Sequence, residues 1–319
     1  MAPGMPRLLR PAVIAALVCA ALGPAASADS FNSVRARVYA APSKALPLYP
    51  GLSMGEFAKA FAGLKEPIGT RATQTLSIQS DFKPRAAKLL HPRGVCAEGL
   101  WVINKDSPAT GLLAKGTSIP AIVRLSAANG ESSYLRSKTR IFGIAIKLFP
   151  TKDGAKDVKT RNLFTLDQGG LEGTTRMTFY GQKADGVFFH NFAPGKGVGS
   201  KVANSFFSRF DQPADVRPLW PLTEIDQAGS AVAQPRTPAE IRFVPVRAPG
   251  VGEKAADDFR DELMQYKTGQ ISFAIEMMDA AGRFQQVGAL FLGAPVVSPT
   301  CDLELHFHHH PHKRSLERP

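Results

Sequence analysis

Apolar positions along this chain fall into two rhythms. From residue 99 onward, short runs rich in Val, Ile, Leu and Phe alternate with clusters of Gly, Pro, Ser, Asn and Asp. The runs cover 99–104, 121–125, 141–150, 162–166, 241–246, 271–278 and 284–292. Runs of that length and composition predict strands. Their spacing predicts an antiparallel sheet curled into a barrel, whose mouth can hold a ligand. The last two runs read as a hairpin around Asp279 to Gly282. Other segments space their apolar residues for one helical face. Phe57, Ala60 and Phe61 follow Ser53 and Glu56, and Pro84 opens a second short helix at 85–90. Over 254–267, Phe259, Leu263 and Tyr266 share one face while Asp257, Asp258, Asp261 and Glu262 lie largely on the other. The predicted class is α+β, an antiparallel barrel with flanking helices.

The remainder of the chain frames that domain. Residues 1–28 read as a signal peptide, with Arg7 and Arg10 before an apolar stretch at 12–22 and Ala26-Ser27-Ala28 as a small-residue cleavage site. The apolar stretch is about half the roughly 20 residues that a membrane-spanning helix needs. The protein is therefore expected in the periplasm or outside the cell. Residues 29–90 form an N-terminal arm with the two helices, 91–308 the barrel domain, and 309–319 a His-rich and basic tail. Gly169 to Trp220 is weakly patterned and reads as loop and short helix. Of the three cysteines, Cys19 leaves with the leader, and Cys96 and Cys301 remain. Export means an oxidising compartment, so a Cys96–Cys301 disulfide and two separate buried thiols are both open.

Polar residues interrupt the strand pattern between 91 and 166: Arg93 and Cys96, Arg124 and Ser126, Lys147, Arg161 and Asn162. On adjacent strands such groups can converge on one cavity. The same segment resembles the N-terminal core of the monofunctional haem catalases and their shorter relatives, the catalase-related peroxidases and allene oxide synthases. The likeness rests on Arg93, Val95, Cys96, Ala97 and Gly99, on Val123 to Ser126 with Gly130 and Glu131, on Phe142 to Phe149, and on Asn162. It implies a catalase-like barrel, a haem cofactor and peroxide or an organic hydroperoxide as substrate. By the same resemblance Cys96, Ser126 and Asn162 would be the catalytic positions, with Arg93, Val95 and Arg124 binding the cofactor. Family arms of this kind wrap a neighbouring subunit, which implies a homo-oligomer.

Two departures bear on activity. Cys96 stands where the family has its distal histidine, and the family's proximal tyrosine segment has no counterpart before Pro319. A distal base must carry a proton between the two peroxide oxygens, a task for which the near-neutral pKa of histidine is suited. A thiol is a poor substitute, being mostly protonated and readily oxidised. No axial ligand is identifiable. The expected activity is thus a weak or absent hydroperoxidase. The alternative is a non-enzymatic barrel that binds an apolar ligand, or a relic of the fold. Arg93 and Arg124 have a bland alternative of their own, pairing with acids such as Glu98 or Glu131.

Over 302–308, Leu303, Leu305 and Phe307 alternate with Glu304, His306 and His308, which predicts a final half-buried strand. His306, His308, His310 and His312 could chelate a divalent metal adventitiously. No physiological metal site is assigned. The net charge of +12 falls to about +10 without Arg7 and Arg10. With no basic run interleaved with aromatics, it points to a solvated surface rather than to nucleic acid. G-x-S-x-G, P-loop, G-x-G-x-x-G and H-E-x-x-H signatures are missing.

Overall fold

The computed structural model describes residues 30–40, 93–127, 142–150 and 258–305 and most of 226–256. It adds backbone alone for 75–77, 86–88, 189–190, 303–304 and, Leu163 apart, 161–167. The helix expected near 53–61, the leader at 1–28, most of 169–220 and the His-rich tail lie outside the described residues.

Eight strands follow one another as neighbours and close on themselves. They are β3 (Arg93–Ile103), β4 (Ser118–Ala127), β5 (Phe142–Leu148), β6 (Arg161–Asp167), β7 (Phe189–His190), β8 (Ile241–Arg247), β9 (Ile271–Met278) and β10 (Phe284–Leu292). Every pairing is antiparallel, and β10 returns to pair with β3, so the sheet is a closed barrel. Two short strands upstream, β1 (Thr75–Ser77) and β2 (Ala86–Lys88), make a separate pair. The segment expected as a helix at 85–90 is therefore β2, stabilised by its partner strand rather than by its own propensity. β3 also begins earlier than expected, at Arg93, because Val95 and Ala97 continue the inward alternation of Trp101 and Ile103.

Period-two alternation sorts the wall into two faces. Inward residues include Val95, Ala97 and Trp101 from β3, Val123 and Leu125 from β4, Ile144 and Ile146 from β5, and Phe243 and Phe273 from β8 and β9. These side chains fill the barrel, as eight-stranded barrels allow. Trp101 meets Phe243 edge to face at 5.9 Å and donates its indole N–H to Leu112 O at 2.9 Å. Leu112 and Leu113, on a 3-10 turn at Gly111–Leu113, close that end.

The opposite end is closed by α2 (Phe259–Met264), which adds Phe259 and Leu263 to the core, with Phe259 at 5.9 Å from Phe142. This helix is shorter than the 254–267 expected. Asp258 caps it by accepting from Arg260 N at 2.9 Å, and the Lys254 amide donates to the Tyr266 hydroxyl instead of entering a helix. The mouth that the sequence suggested for a ligand is thus a packed core among the described residues.

A second apolar cluster lies outside the wall. Helix α1 (Phe31–Ala40) presents Phe31, Val34 and Val38 along one face and packs them with Cys96, Ile122, Phe149, Cys301 and Leu305. Phe31 contacts Phe149 edge to face at 5.7 Å. This helix went unread in the sequence, although its i, i+3, i+7 spacing is the ordinary signal for one buried face.

Candidate functional site on the outer wall

Cys96 lies between Val95 and Ala97, which point inward, so its own side chain points out. Its Cα partner on β4 is Arg124, and Arg124 is in turn opposite Ala145 on β5. One row away, Gly94 faces Ser126, which in turn is opposite Gly143; another row away, Ile122 faces Lys147, whose register partner on β6 is Asn162. Cys96, Arg124, Ser126 and Lys147 therefore share the outer wall. All four are buried, and Lys147 is fully so. Of Asn162 only the backbone register is described.

Arg93 and Val95 stand on the other face. Val95 belongs to the barrel core. Arg93, with the same parity, reaches the rim beside α2, where its charge acts on Asp258. The two arginines that the resemblance assigned to one cofactor are therefore on opposite faces of the wall.

What covers the outer wall is the chain's own C-terminal segment. After β10, Val296 exchanges two backbone hydrogen bonds with Cys96, Cys96 N to Val296 O at 2.8 Å and Val296 N to Cys96 O at 2.7 Å. A π-type turn at Thr300–Glu304 then places two consecutive residues on the Cys96–Arg124 cross-strand pair. Cys301 is disulfide-bonded to Cys96 with Cα atoms 5.8 Å apart, and Asp302 accepts from Arg124 Nη2 at 2.6 Å. Of the two readings open for the cysteines, the structure has the bond rather than separate thiols. The alternation expected for a strand over 302–308 breaks at its start, because Cys301 and Asp302 are both drawn onto the wall and the backbone must wind to do so.

Of the two acids proposed for the arginines, Glu98 forms an ion pair with Arg35 of α1, and Glu131 lies outside the described residues. Asp302 was missed because it read as one polar residue in an alternating strand. Its role depends on contact across 178 positions, which no local signal carries.

The outer pair connects to the rim through charge. Asp258 holds Arg260 through several contacts of 2.5–3.1 Å, and the Asp302 charge acts on Arg260 in turn. Burial pushes the Asp258 carboxyl up, but hydrogen bonds from the Arg260 side chain and backbone outweigh it and hold the group below the ordinary aspartate range. Three guanidinium groups, Arg93, Arg124 and Arg260, thus alternate with two carboxylates, Asp258 and Asp302. Buried charge is tolerated when each ion has such a partner.

Tyr39 ties the helix to this assembly. Its hydroxyl donates to Ala294 O and accepts from Glu98 N, both at 2.9 Å. Burial drives its pKa up to about 12, because the phenolate would lose water; the Glu98 amide and the Arg35 guanidinium pull it back only in part.

The haem implied by the resemblance can be tested against these residues. A haem on this wall needs open space beside position 96 and an arginine free to meet a propionate. Here the sulfur is bonded, Leu305, Phe149 and Phe31 pack around it, and Arg124 already holds Asp302. Among the described residues the wall in this arrangement does not fit the group. Among those residues there is also no cluster of three or more His, Cys, Asp or Glu arranged to hold a metal, and no helix long and apolar enough to cross a membrane. Comparison with family models and with curated proteins gives no match to this chain.

Proposed function

We propose that the chain is an exported, catalase-like barrel protein that does not turn over peroxide, and that its role in the cell envelope is that of a disulfide-clamped, non-enzymatic barrel. One observation carries this reading: the sulfur at position 96 is bonded to Cys301. A disulfide sulfur has no proton to give, is a negligible base, and is not the thiolate that a peroxidatic cysteine requires. While the bond is intact, the chemistry asked of this position is missing whether haem or the thiol is taken as the reactive centre, and both cysteines are fully buried, away from reductant and peroxide. The leader-like pattern at 1–28 and a disulfide both suit an oxidising compartment outside the cytoplasm.

The test is made on mature protein, residues 29–319, purified without reductant from cells supplied with haem. The reading expects no stoichiometric Soret band and peroxide loss no faster than in buffer. A stoichiometric Soret band accompanied by sustained peroxide turnover would establish the hydroperoxidase instead, with an iron ligand outside the described residues.

A further inference from the structure

We infer that residues 53–64 of this chain dock as a helix on an apolar stretch of the barrel's outer wall, over strands β9 and β10, so that the N-terminal arm covers its own barrel. The outward positions of β3 change character at Glu98. Cys96 and Glu98 are buried, Cys96 in the cluster with α1 and Glu98 in its ion pair with Arg35. Leu100 and Val102, of the same parity, are partly exposed. Neighbouring strands continue this barer half. Leu100 is opposite Phe291, Phe291 opposite Ser272, and Ser272 opposite Val246; one row along, Val102, Ala289, Ala274 and Val244 are paired in the same way. Val246 is 43% exposed. Outward positions of an antiparallel sheet that meets water are ordinarily polar, and a contiguous apolar stretch marks a surface that something covers.

The relief of this stretch selects a rounded partner. Ala289 and Ala274 lie side by side, with Ser272 next along β9. Val102 and Val244 flank the two alanines, and Phe291 stands at one end. At the other end Arg242 is ion-paired with Glu276 at 2.5 Å and stacked 3.8 Å from the centre of the Phe284 ring. Small side chains ringed by larger ones make a shallow depression, which bulky side chains projecting from a helix fill and a second flat sheet does not. The four strands span about 14 Å, and a helix of 12 residues is about 18 Å long.

The course of the chain names the occupant. Helix α1 ends at Ala40, and Tyr39 is bonded to Glu98 N and Ala294 O, just beyond Leu100 and Phe291 on their strands. The chain therefore leaves α1 at the edge of the apolar stretch. Residues 41–52 include Pro42, Pro47 and Pro50, which favour extended backbone of about 3 Å per residue. Such a tether reaches every part of the stretch. It delivers Ser53 and Glu56 at capping-box spacing, followed by Phe57, Ala60, Phe61 and Leu64 on one helical face with Lys59 opposite. Phe57 and Phe61, one turn apart, are the side chains for the depression. Tethering makes the docking intramolecular, which favours this segment over a second copy at the same surface.

The inference stands whether or not peroxide is consumed. The test places the photo-reactive residue p-benzoylphenylalanine at position 246, or at position 102 if the first variant does not fold, and irradiates the purified protein. The expected product runs as a monomer on a denaturing gel, and peptide mapping joins the labelled position to a residue within 53–64. In Phe57→Asp/Phe61→Asp, checked for strand content by far-ultraviolet circular dichroism, the yield should fall about tenfold or more, because the docked face is lost. A cross-link to any other segment, a product of dimer mobility, or no product from the folded protein overturns the inference. An undiminished yield in the folded Phe57→Asp/Phe61→Asp variant overturns it equally.

Discussion

Cys301 is bonded to Cys96 across 205 positions of sequence, and the residue after it, Asp302, pairs with the cross-strand neighbour of Cys96, Arg124. Two adjacent residues at the end of the domain thus secure two adjacent strands near its beginning. A cross-link closing a loop of that length removes chain entropy from the unfolded state worth about 5 kcal/mol, and loss of a native disulfide generally costs about 2–5 kcal/mol. The Cys96→Ala/Cys301→Ala protein should unfold at lower urea, with a stability deficit in that range. Urea denaturation of oxidised wild type beside the variant measures it.

The Arg124–Asp302 pair should show the asymmetry of buried ions. Asp302→Ala leaves Arg124 charged and buried, and a loss of about 3–5 kcal/mol is expected. Removing both with Arg124→Leu/Asp302→Leu should cost clearly less than the sum of the single changes, because no unpaired charge remains. A double-mutant cycle by denaturant unfolding checks this; strict additivity would mean that the two groups do not interact.

Tyr39 sets an alkaline limit. Its folded-state pKa, about 12, lies above the ordinary tyrosine value of 10. The stability this group contributes is complete below pH 10 and is lost as pH rises through 12. Wild type should therefore lose stability across pH 10–12, and Tyr39→Phe should lose less over that interval while starting lower, because its bonds to Ala294 and Glu98 are gone. Ultraviolet titration should show one tyrosine fewer ionising near pH 12 in the variant.

Gly94→Ala tests the packing of Arg124 on the wall. The added methyl group would sit 2.8 Å from Leu125 O and 2.9 Å from the Arg124 Nε and guanidinium carbon. The backbone oxygen cannot yield, so the guanidinium must move and its bond to Asp302 lengthen. A loss of about 1–3 kcal/mol is expected from overpacking. In Arg124→Leu the same glycine change should cost less, since a shorter side chain has left the spot.

The strands were legible because their signal is local. Alternation in β4, β5, β8, β9 and β10 is carried by Val, Ile, Leu and Phe within each strand, and the hairpin turn at Asp279 is visible in its own residues, Asp279 Oδ1 accepting from the amides of Ala281 and Arg283 at 2.9 and 2.8 Å. Sequence does not show that Leu112 and Phe259 arrive from outside the strands and join the packed core of the barrel among the described residues. Cys96, Arg124, Ser126 and Lys147 were singled out as chemistry-bearing residues, and they do gather on one face. Their partners were illegible. Asp302, Cys301 and α1 reach that face through contacts of long sequence separation, and the strand-like alternation after Asp302 concealed the turn that makes them possible.

The most direct measurement is non-reducing peptide mapping of the purified protein alkylated during denaturation. The account predicts a single species in which the peptides containing Cys96 and Cys301 are joined, with neither cysteine alkylated. Recovery of both peptides separately, each alkylated, would restore a free thiol at position 96 and contradict the clamp on which the reading of the outer wall depends.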